Sequence, residues 1–305
     1  MTLGTGNLIN SYWYALWLTA ENGHGYFAIT TLSQVITAGE GINSCLSLLD
    51  IDTGEYYGRT DFTPGTFSNT TYDISNKVAH KYSTKPDLVS VQHAETFHPC
   101  VTMNLTLEPR GPNLYHAGSG IHWFGGGITH EIASPQLWVT GSINVNGTDV
   151  AVIPEESVGW LDRQWGPGAP TKGWDFYTIY LSNGWSMSVW HVSSTNLPLK
   201  LSRFATVLFP NGHTEVHTLE DDIHPTGPWV SPVTNLTYHN GYTLNLPTLG
   251  LSLEVTVKHP GTGELTNLDV PDLGTTILEA YVEVSGIHDG EPVTGFGVSE
   301  QLNSL

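Results

Sequence analysis

Hydrophobic and polar positions alternate in short runs along the whole chain, and no stretch keeps apolar residues at the three-to-four spacing of an amphipathic helix. Period two is the signature of a strand, whose successive side chains point to opposite faces. The runs are punctuated by Asn-Gly at 22–23, 146–147, 183–184, 211–212 and 240–241, and by Asp289-Gly290. Each pair is suited to a two-residue hairpin turn, which needs positive φ at both central positions. The pattern predicts hairpins over 12–20 with 25–32 and 44–52 with 55–61, then strands at 88–97, 102–109 and 138–145. In the second half it predicts 174–181 with 186–192, 202–209 with 214–220, 234–239 with 242–246, 249–258, and 276–285 with 292–301. That density of strands suits an up-and-down barrel, which closes its own edges. A two-residue turn at Asn183-Gly184 would set Leu181 opposite Ser186, Ile179 opposite Ser188 and Tyr177 opposite Trp190 on one face. Tyr180 with Met187, Thr178 with Val189 and Phe176 with His191 would share the other.

The segment Pro154-Glu155-Glu156-Ser157 interrupts the pattern, so the expected division is 1–153 and 154–305. The Gly-rich stretch from Gly118 to Gly127 lacks the strand before and helix after that a phosphate-binding loop requires. It reads as a loop or bulged strand that carries His122 and Trp123 towards a cleft.

Charge narrows the partners. With 10 Lys and Arg against 29 Asp and Glu in 305 residues, the formal net charge is -19. No basic patch could neutralise a phosphate backbone, so nucleic-acid binding is excluded and an anionic membrane surface disfavoured. No apolar run reaches the roughly 18 residues that span a bilayer. The start Met1-Thr2-Leu3-Gly4 lacks the features of a signal peptide, although a removed leader would leave no trace. Glycosylation sequons stand at Asn69, Asn104, Asn146 and Asn235, compatible with a secretory-pathway protein. Cys45 and Cys100, the only cysteines, form either one disulfide or two separate thiols. The 14 His show no paired metal-ligand spacing, and His213 and His217 fall in an expected strand rather than on a helix. No metal and no other cofactor is expected.

The densest chemistry lies in Gly159-Trp160-Leu161-Asp162-Arg163-Gln164-Trp165-Gly166-Pro167-Gly168, where an acid, a guanidinium and an amide stand between two indoles. On a strand Trp160, Asp162 and Gln164 share one face, with Arg163 and Trp165 on the other. Asp162 is a candidate proton donor or hydrogen-bond clamp, Gln164 a neutral donor and Arg163 a clamp. The structural alternative has Asp162 pin a turn and Arg163 tie two domains together. His122 is the candidate acid or base, ahead of His191 and His93. The aromatic residues Trp13, Trp123, Trp160, Trp174, Tyr177, Trp190, Tyr281 and Phe296 are the candidates for the wall of an apolar ligand site.

The run from Trp160 to Gly166, then Trp174 before a strand, a turn and a Trp-bearing return strand, resembles the lipocalin-like superfamily of carotenoid 1,2-hydratases, AttH-type proteins and fungal kievitone hydratases and (hetero-)Diels–Alderases. Tyr281-Val282-Glu283-Val284-Ser285-Gly286 with Gly290, Val293, Gly295, Gly297 and Glu300 resembles its closing hairpin, and Ser11-Tyr12-Trp13 its early Trp-bearing strand. The resemblance implies an all-β fold, an N-terminal β-sandwich packed against a C-terminal lipocalin-like antiparallel barrel. It implies a fungal natural-product enzyme whose partner is an apolar small molecule, with a homodimer left open. The first expectation is a cofactor-independent (hetero-)Diels–Alder cycloaddition of a terpenoid or polyketide-derived intermediate, which demands chiefly an oriented, dry pocket. The second is a hydratase acting on an alkene of a prenylated or terpenoid substrate, which needs a protonated Asp162, Glu283 or Glu300. A non-catalytic lipocalin-like carrier is the third.

Overall fold

The computed structural model describes residues 9–35, 41–168, 170, 172–193, 202–219, 223–267 and 276–303. In chain order its strands are β1 (Ile9–Thr19), β2 (Gly25–Val35), β3 (Gly41–Asp50), β4 (Tyr56–Phe67), β5 (Asp73–Asn76), β6 (Ala79–Ser83), β7 (Gln92–His98), β8 (Val101–Pro109), β9 (Leu114–Tyr115), β10 (Ile121–Phe124), β11 (Gly127–Val145), β12 (Thr148–Ala151) and β13 (Val158–Gly166). There follow β14 (Gly173–Leu181), β15 (Ser186–Val192), β16 (Arg203–Leu208), β17 (Thr214–Thr218), β18 (Ile223–Val230), β19 (Thr237–Leu246), β20 (Leu251–Val257), β21 (Glu264–Leu265), β22 (Ile277–His288) and β23 (Glu291–Asn303). The all-β class expected from the alternation is what the chain adopts. It divides into two compact units, the first within 1–113, 129–167 and 265–273, the second within 114–128, 168–264 and 274–305. Because β13 belongs to the first unit, the main crossing falls after Pro167 rather than at the Pro154 suggested by composition.

In the first unit the antiparallel order β11-β13-β1-β2-β3-β4-β5-β6-β7-β8 returns on itself through β8 and β11, a ring of ten strands with no free edge. Tyr12, Tyr14, Leu16, Leu107, Val139 and Leu161 belong to its core. That interior also holds bonded polar groups: Lys81, fully buried, donates Nζ–H to the carbonyl oxygens of Tyr12 (3.0 Å) and Thr30. The hydroxyls of Tyr14 and Tyr72 lie 2.5 Å apart, and Tyr14 also donates to Gln92 Oε1 at 2.6 Å. Burial without such bonds would cost each group the hydration it loses.

The second unit is a sheet in the order β17-β16-β15-β14-β23-β22-β20-β19-β18. Its core uses Tyr177, Ile179, Leu181, Met187, Val189, Ala205, Val207, Ala280, Val282 and Val284. The residues between them in sequence form the opposite face.

Turn chemistry sets the register. At Asn146-Gly147 and Asp289-Gly290 both central residues have positive φ (51° and 86°, 50° and 88°), and the strands close as two-residue hairpins pairing Val145 with Thr148 and His288 with Glu291. At Asn183-Gly184 only the glycine is left-handed, at 86°. Leu181 N–H reaches the carbonyl of Trp185 and Gly184 N–H that of Leu181, both at 2.9 Å, so the loop is one residue longer and bulged. The expected pairing of Tyr177 with Trp190 is therefore corrected by one position. Tyr177 faces Val189, and Phe176 faces Trp190. Asn240-Gly241 is no turn: it lies inside β19, where Gly241 pairs with Thr226. The reversal expected there occurs at Ser231–Leu236, with Asn235 at φ 59° and Ser231 N–H bonded to Leu236 O at 2.8 Å.

No disulfide joins the two cysteines, since Cys45 is buried in β3 and Cys100 is exposed between β7 and β8. All four sequon asparagines, Asn69, Asn104, Asn146 and Asn235, are exposed.

Ring closure depends on Gly141, whose φ is 121° and where an added Cβ would lie 2.1 Å from the carbonyl oxygen of Asn104 on β8. Gly141→Ala is expected to destabilise the fold by about 1–3 kcal/mol through overpacking against rigid backbone. Thermal unfolding of the two proteins measures it.

Candidate active site

Strand alternation places Trp174, Phe176, Thr178, Ser188, Trp190, Phe204 and Thr206 together on the face of the second unit that its core does not use. Cross-strand pairing continues this face onto β23 and β22, because Phe176 is opposite Glu300 and Glu300 is opposite Glu279. The rings form one cluster: Phe176 stacks on Trp190 at 4.3 Å, and Phe124 lies 5.1 Å from Trp174 and 5.4 Å from Trp190. His122 packs edge-on to Phe204 at 5.0 Å.

Two histidines enter this cluster from the Gly-rich stretch. His116 begins a 3-10 turn, His116–Gly118, whose central Ala117 has φ 53° and ψ 25°. A left-handed alanine is strained, and it is held by Ala117 N–H donating to Thr206 Oγ1 at 3.1 Å. The imidazole Nδ1 of His116 lies 3.1 Å from Trp190 Nε1 and 2.8 Å from Ser188 Oγ. An indole N–H can only donate, so Nδ1 is an acceptor and the ring proton sits on Nε2. His122 has the reverse arrangement. Its Nδ1 lies 3.1 Å from the carbonyl oxygen of Trp123, which can only accept, so in the neutral ring Nδ1 carries the proton and Nε2 the lone pair.

Acid is supplied at the other end of the cluster. Trp174 Nε1–H donates to Glu300 Oε1 at 2.5 Å, and both Glu300 and Glu279 are buried. Tyr281 follows on the same face, its phenol pushed up to about 12 by burial first and then by Glu283. Phe296 sits 5.2 Å from Tyr180. Glu283 itself is exposed and paired with Lys258 at 2.8 Å, so of the two C-terminal acids considered from the sequence only Glu300 reaches the aromatic cluster.

The expected site residues thus separate. Trp174, Trp190 and His122 are brought together, with Tyr281 and Phe296 further along the face. Trp123 follows His122 in β10 and therefore points to the opposite side, half-buried, while Phe124 takes the place beside His122 that Trp123 was expected to fill. Tyr177 lies in the apolar core on the far side of the sheet from Trp190. Asp162, Trp160 and Trp13 are in the first unit, where Trp13 pairs with Asp162 across β1 and β13 and Trp160 Nε1 lies 3.4 Å from Asp162 Oδ2. Gln164 extends that face, opposite Ser11.

Arg163 points to the other face of β13 and is buried between two rings, 4.4 Å from Tyr12 and 4.8 Å from Trp165. Its NH2 donates to Asn10 Oδ1 at 3.3 Å, and NH1 to the carbonyls of Ser11 (3.3 Å) and Gln164 (2.5 Å). Burial pulls its affinity for the proton below the ordinary value. These contacts occupy the guanidinium with backbone and aromatic faces inside the first unit. Sequence reading missed His116, although its neighbours Ala117-Gly118 mark a tight turn, and missed Glu279, which carries no local motif. It also missed His24, Asp50 and Asp52, whose donor atoms lie within 4.8 Å of one another. That group could ligate a cation, but Asp50 Oδ1 already accepts from Asp52 and Thr53 N–H and Asp52 Oδ2 from Gly25 N–H, which is the work of a turn.

An all-β chain with polar groups set into an aromatic face has recognisable kin. The AttH-like family profile matches residues 59–296, and the chain belongs to that family. It is 27% identical over 303 residues to kievitone hydratase of Fusarium solani subsp. phaseoli, covering 96% of this chain and 82% of that protein. It is 25% identical over 297 residues to dehydratase asqC of Emericella nidulans, covering 93% and 82%. Among solved structures, kievitone hydratase from Nectria haematococca superposes with a TM-score of 0.86 at 26% identity, over 96% of this chain and 89% of that one. An AttH-type protein from Nitrosomonas europaea has a TM-score of 0.81 at 20% identity, over 100% and 95%, a likeness of fold.

Two measurements check the site's local chemistry. Nitrogen NMR of labelled histidine should show His116 as the Nε2–H tautomer, and Trp190→Phe should perturb that signal; an Nδ1–H tautomer would contradict the assignment. Arg163→Lys, which keeps charge but loses the stacked plane and forked donors, should lower stability by about 1–3 kcal/mol, read by denaturant unfolding.

Proposed function

We propose that this protein is a hydro-lyase that adds water to, or removes it from, an apolar substrate with a prenyl or terpenoid alkene, at the aromatic face of the second unit. The observation that carries this reading is the Glu300 carboxyl, 7% exposed, held by the Trp174 indole N–H among Phe124, Phe176 and Trp190. The names of the two relatives, a hydratase and a dehydratase, support the class of reaction over the cycloaddition placed first on the family resemblance.

Hydration of an isolated alkene needs an acid aimed at carbon, and the arrangement supplies one. The proton of a neutral Glu300 passes to one alkene carbon as the π pair forms the new C–H bond. Positive charge is left on the neighbouring carbon, where the electron-rich faces of Trp174, Trp190 and Phe176 stabilise it. A water oxygen lone pair closes on that carbon, and the proton it sheds goes to His122 Nε2. Return of that proton through solvent to the Glu300 carboxylate restores the protein, and the balance is alkene plus water to alcohol. Dehydration runs the same steps backwards. The N–H of Trp174 on Oε1 fixes which oxygen faces the substrate.

The test is turnover of a panel of prenylated phenols and terpenoid alkenes or alcohols in oxygen-labelled water. Label should enter the product alcohol, or leave with the water of dehydration, and Glu300→Gln should lower kcat by at least about 100-fold, the usual worth of a general acid. Product formed without exchange of oxygen would return the chain to the cycloaddition reading, and full turnover by Glu300→Gln would remove that carboxyl from the chemistry.

A further inference from the structure

Glu279 stands directly opposite Glu300 in the antiparallel register of β22 and β23, and the same register places both on the aromatic face. Both are buried, at 2% and 7% exposure. Directly opposed side chains have Cβ atoms about 4.5–5.5 Å apart, which brings two carboxyl groups within hydrogen-bonding reach. The position of Glu279 is fixed by backbone: its N–H donates to Gly263 O at 2.8 Å, and Gly263, at φ 96°, sits so close that a Cβ there would lie 2.8 Å from Ala280 Cα.

Two carboxylates this near in a low-dielectric setting cannot both ionise cheaply, because the like charge of one raises the proton affinity of the other. We propose that Glu279 and Glu300 form a carboxyl pair that shares one proton, with Glu279 the positioning residue that keeps Glu300 loaded as the donor. The catalytic half of this inference rests on the hydro-lyase reading. The pair itself rests on geometry alone.

The surroundings favour Glu300 as the member that delivers the proton. The Trp174 N–H occupies its Oε1, so the ionised charge left after transfer is met by a donor already in place. Among the described residues, the other titratable and charged groups on this side of the second unit include His116 and His122, Tyr180, Tyr281, and the exposed Glu254 and Glu283 with Lys258. Asp175, between Trp174 and Phe176, faces the opposite side with His191 and Tyr242. Tyr281 stays a neutral phenol through the working range, since burial has pushed it up to about 12.

The experiment is an infrared titration of protein carrying labelled glutamate, alongside the pH profile of kcat. Wild-type protein should keep a protonated buried-carboxyl band at neutral pH and lose its two protons in steps more than one pH unit apart. Glu279→Gln should move the surviving titration, and with it the alkaline limb of the kcat profile, at least one pH unit downwards, so that kcat at neutral pH falls about tenfold or more, while KM changes less. Absence of the band in wild-type protein overturns the pair, and that measurement needs no variant to fold. An unchanged midpoint in Glu279→Gln also overturns it, because burial alone would then hold the proton. A midpoint that moves while water addition is unaffected upholds the pair and removes it from the chemistry, whereas a wild-type protein that shows the pair but adds or removes no water on the substrate panel sinks the hydro-lyase reading alone.

Discussion

A carboxyl group enclosed by aromatic rings has to be bonded, neutralised or both, because the rings offer nothing to replace the water it has lost. The second unit meets that constraint at Glu300 with the Trp174 indole N–H, while Glu279 stands opposite it in the sheet. Much of the face follows from it. Trp174 presents its nitrogen to β23 with its ring tilted 50° to Phe124 at 5.1 Å, and Phe124 in turn stands edge-on to His122. His116 obeys the same rule with neutral donors, its Nδ1 taken by Trp190 and Ser188.

The long strands were legible because a strand needs only alternation, but the pattern gave 16 segments where the described residues form 23 strands, missing the short β5, β6 and β12 and splitting β19 at Asn240-Gly241. Register was less legible, since it hangs on whether one or both residues of a turn are left-handed, and Asn-Gly admits either. That single ambiguity moved Tyr177 from the expected ligand wall into the core and exchanged Phe176 for it beside Trp190. Trp123 was misjudged for the opposite reason, adjacency in sequence being taken for adjacency in space when a strand separates neighbours. Glu300 was visible only as one acid among several. What singled it out, a bond to an indole 126 positions away, is long-range and leaves no mark in the local sequence.

The Asp-Arg-Gln-Trp-Gly stretch carried the family resemblance, and its structure explains why such a run is stable. Arg163 is clamped between Tyr12 and Trp165 and bonded to backbone carbonyls of β1 and β13, so it joins two strands of the closed ring. Gly168, just beyond, has its N–H on the carbonyl of Ile128 at 3.0 Å, and a Cβ there would meet Phe124 O at 2.5 Å. The backbone after the motif therefore lies directly under the turn that carries Phe124 and His122, and only a residue without a side chain fits.

The bulged loop at Asn183-Gly184 has one more consequence. Because it contains an odd residue relative to a two-residue turn, it acts as a parity selector for β15: deleting one loop position would rotate that strand's sequence by half a pleat. Val189 and His191 would then project where Ser188 and Trp190 now stand, and His116 would lose both groups that hold its Nδ1. A chain of this fold can therefore exchange the side chains that line this face by altering a loop distant in sequence from the rings and acids, so diversification of chemistry need not begin at the residues that perform it.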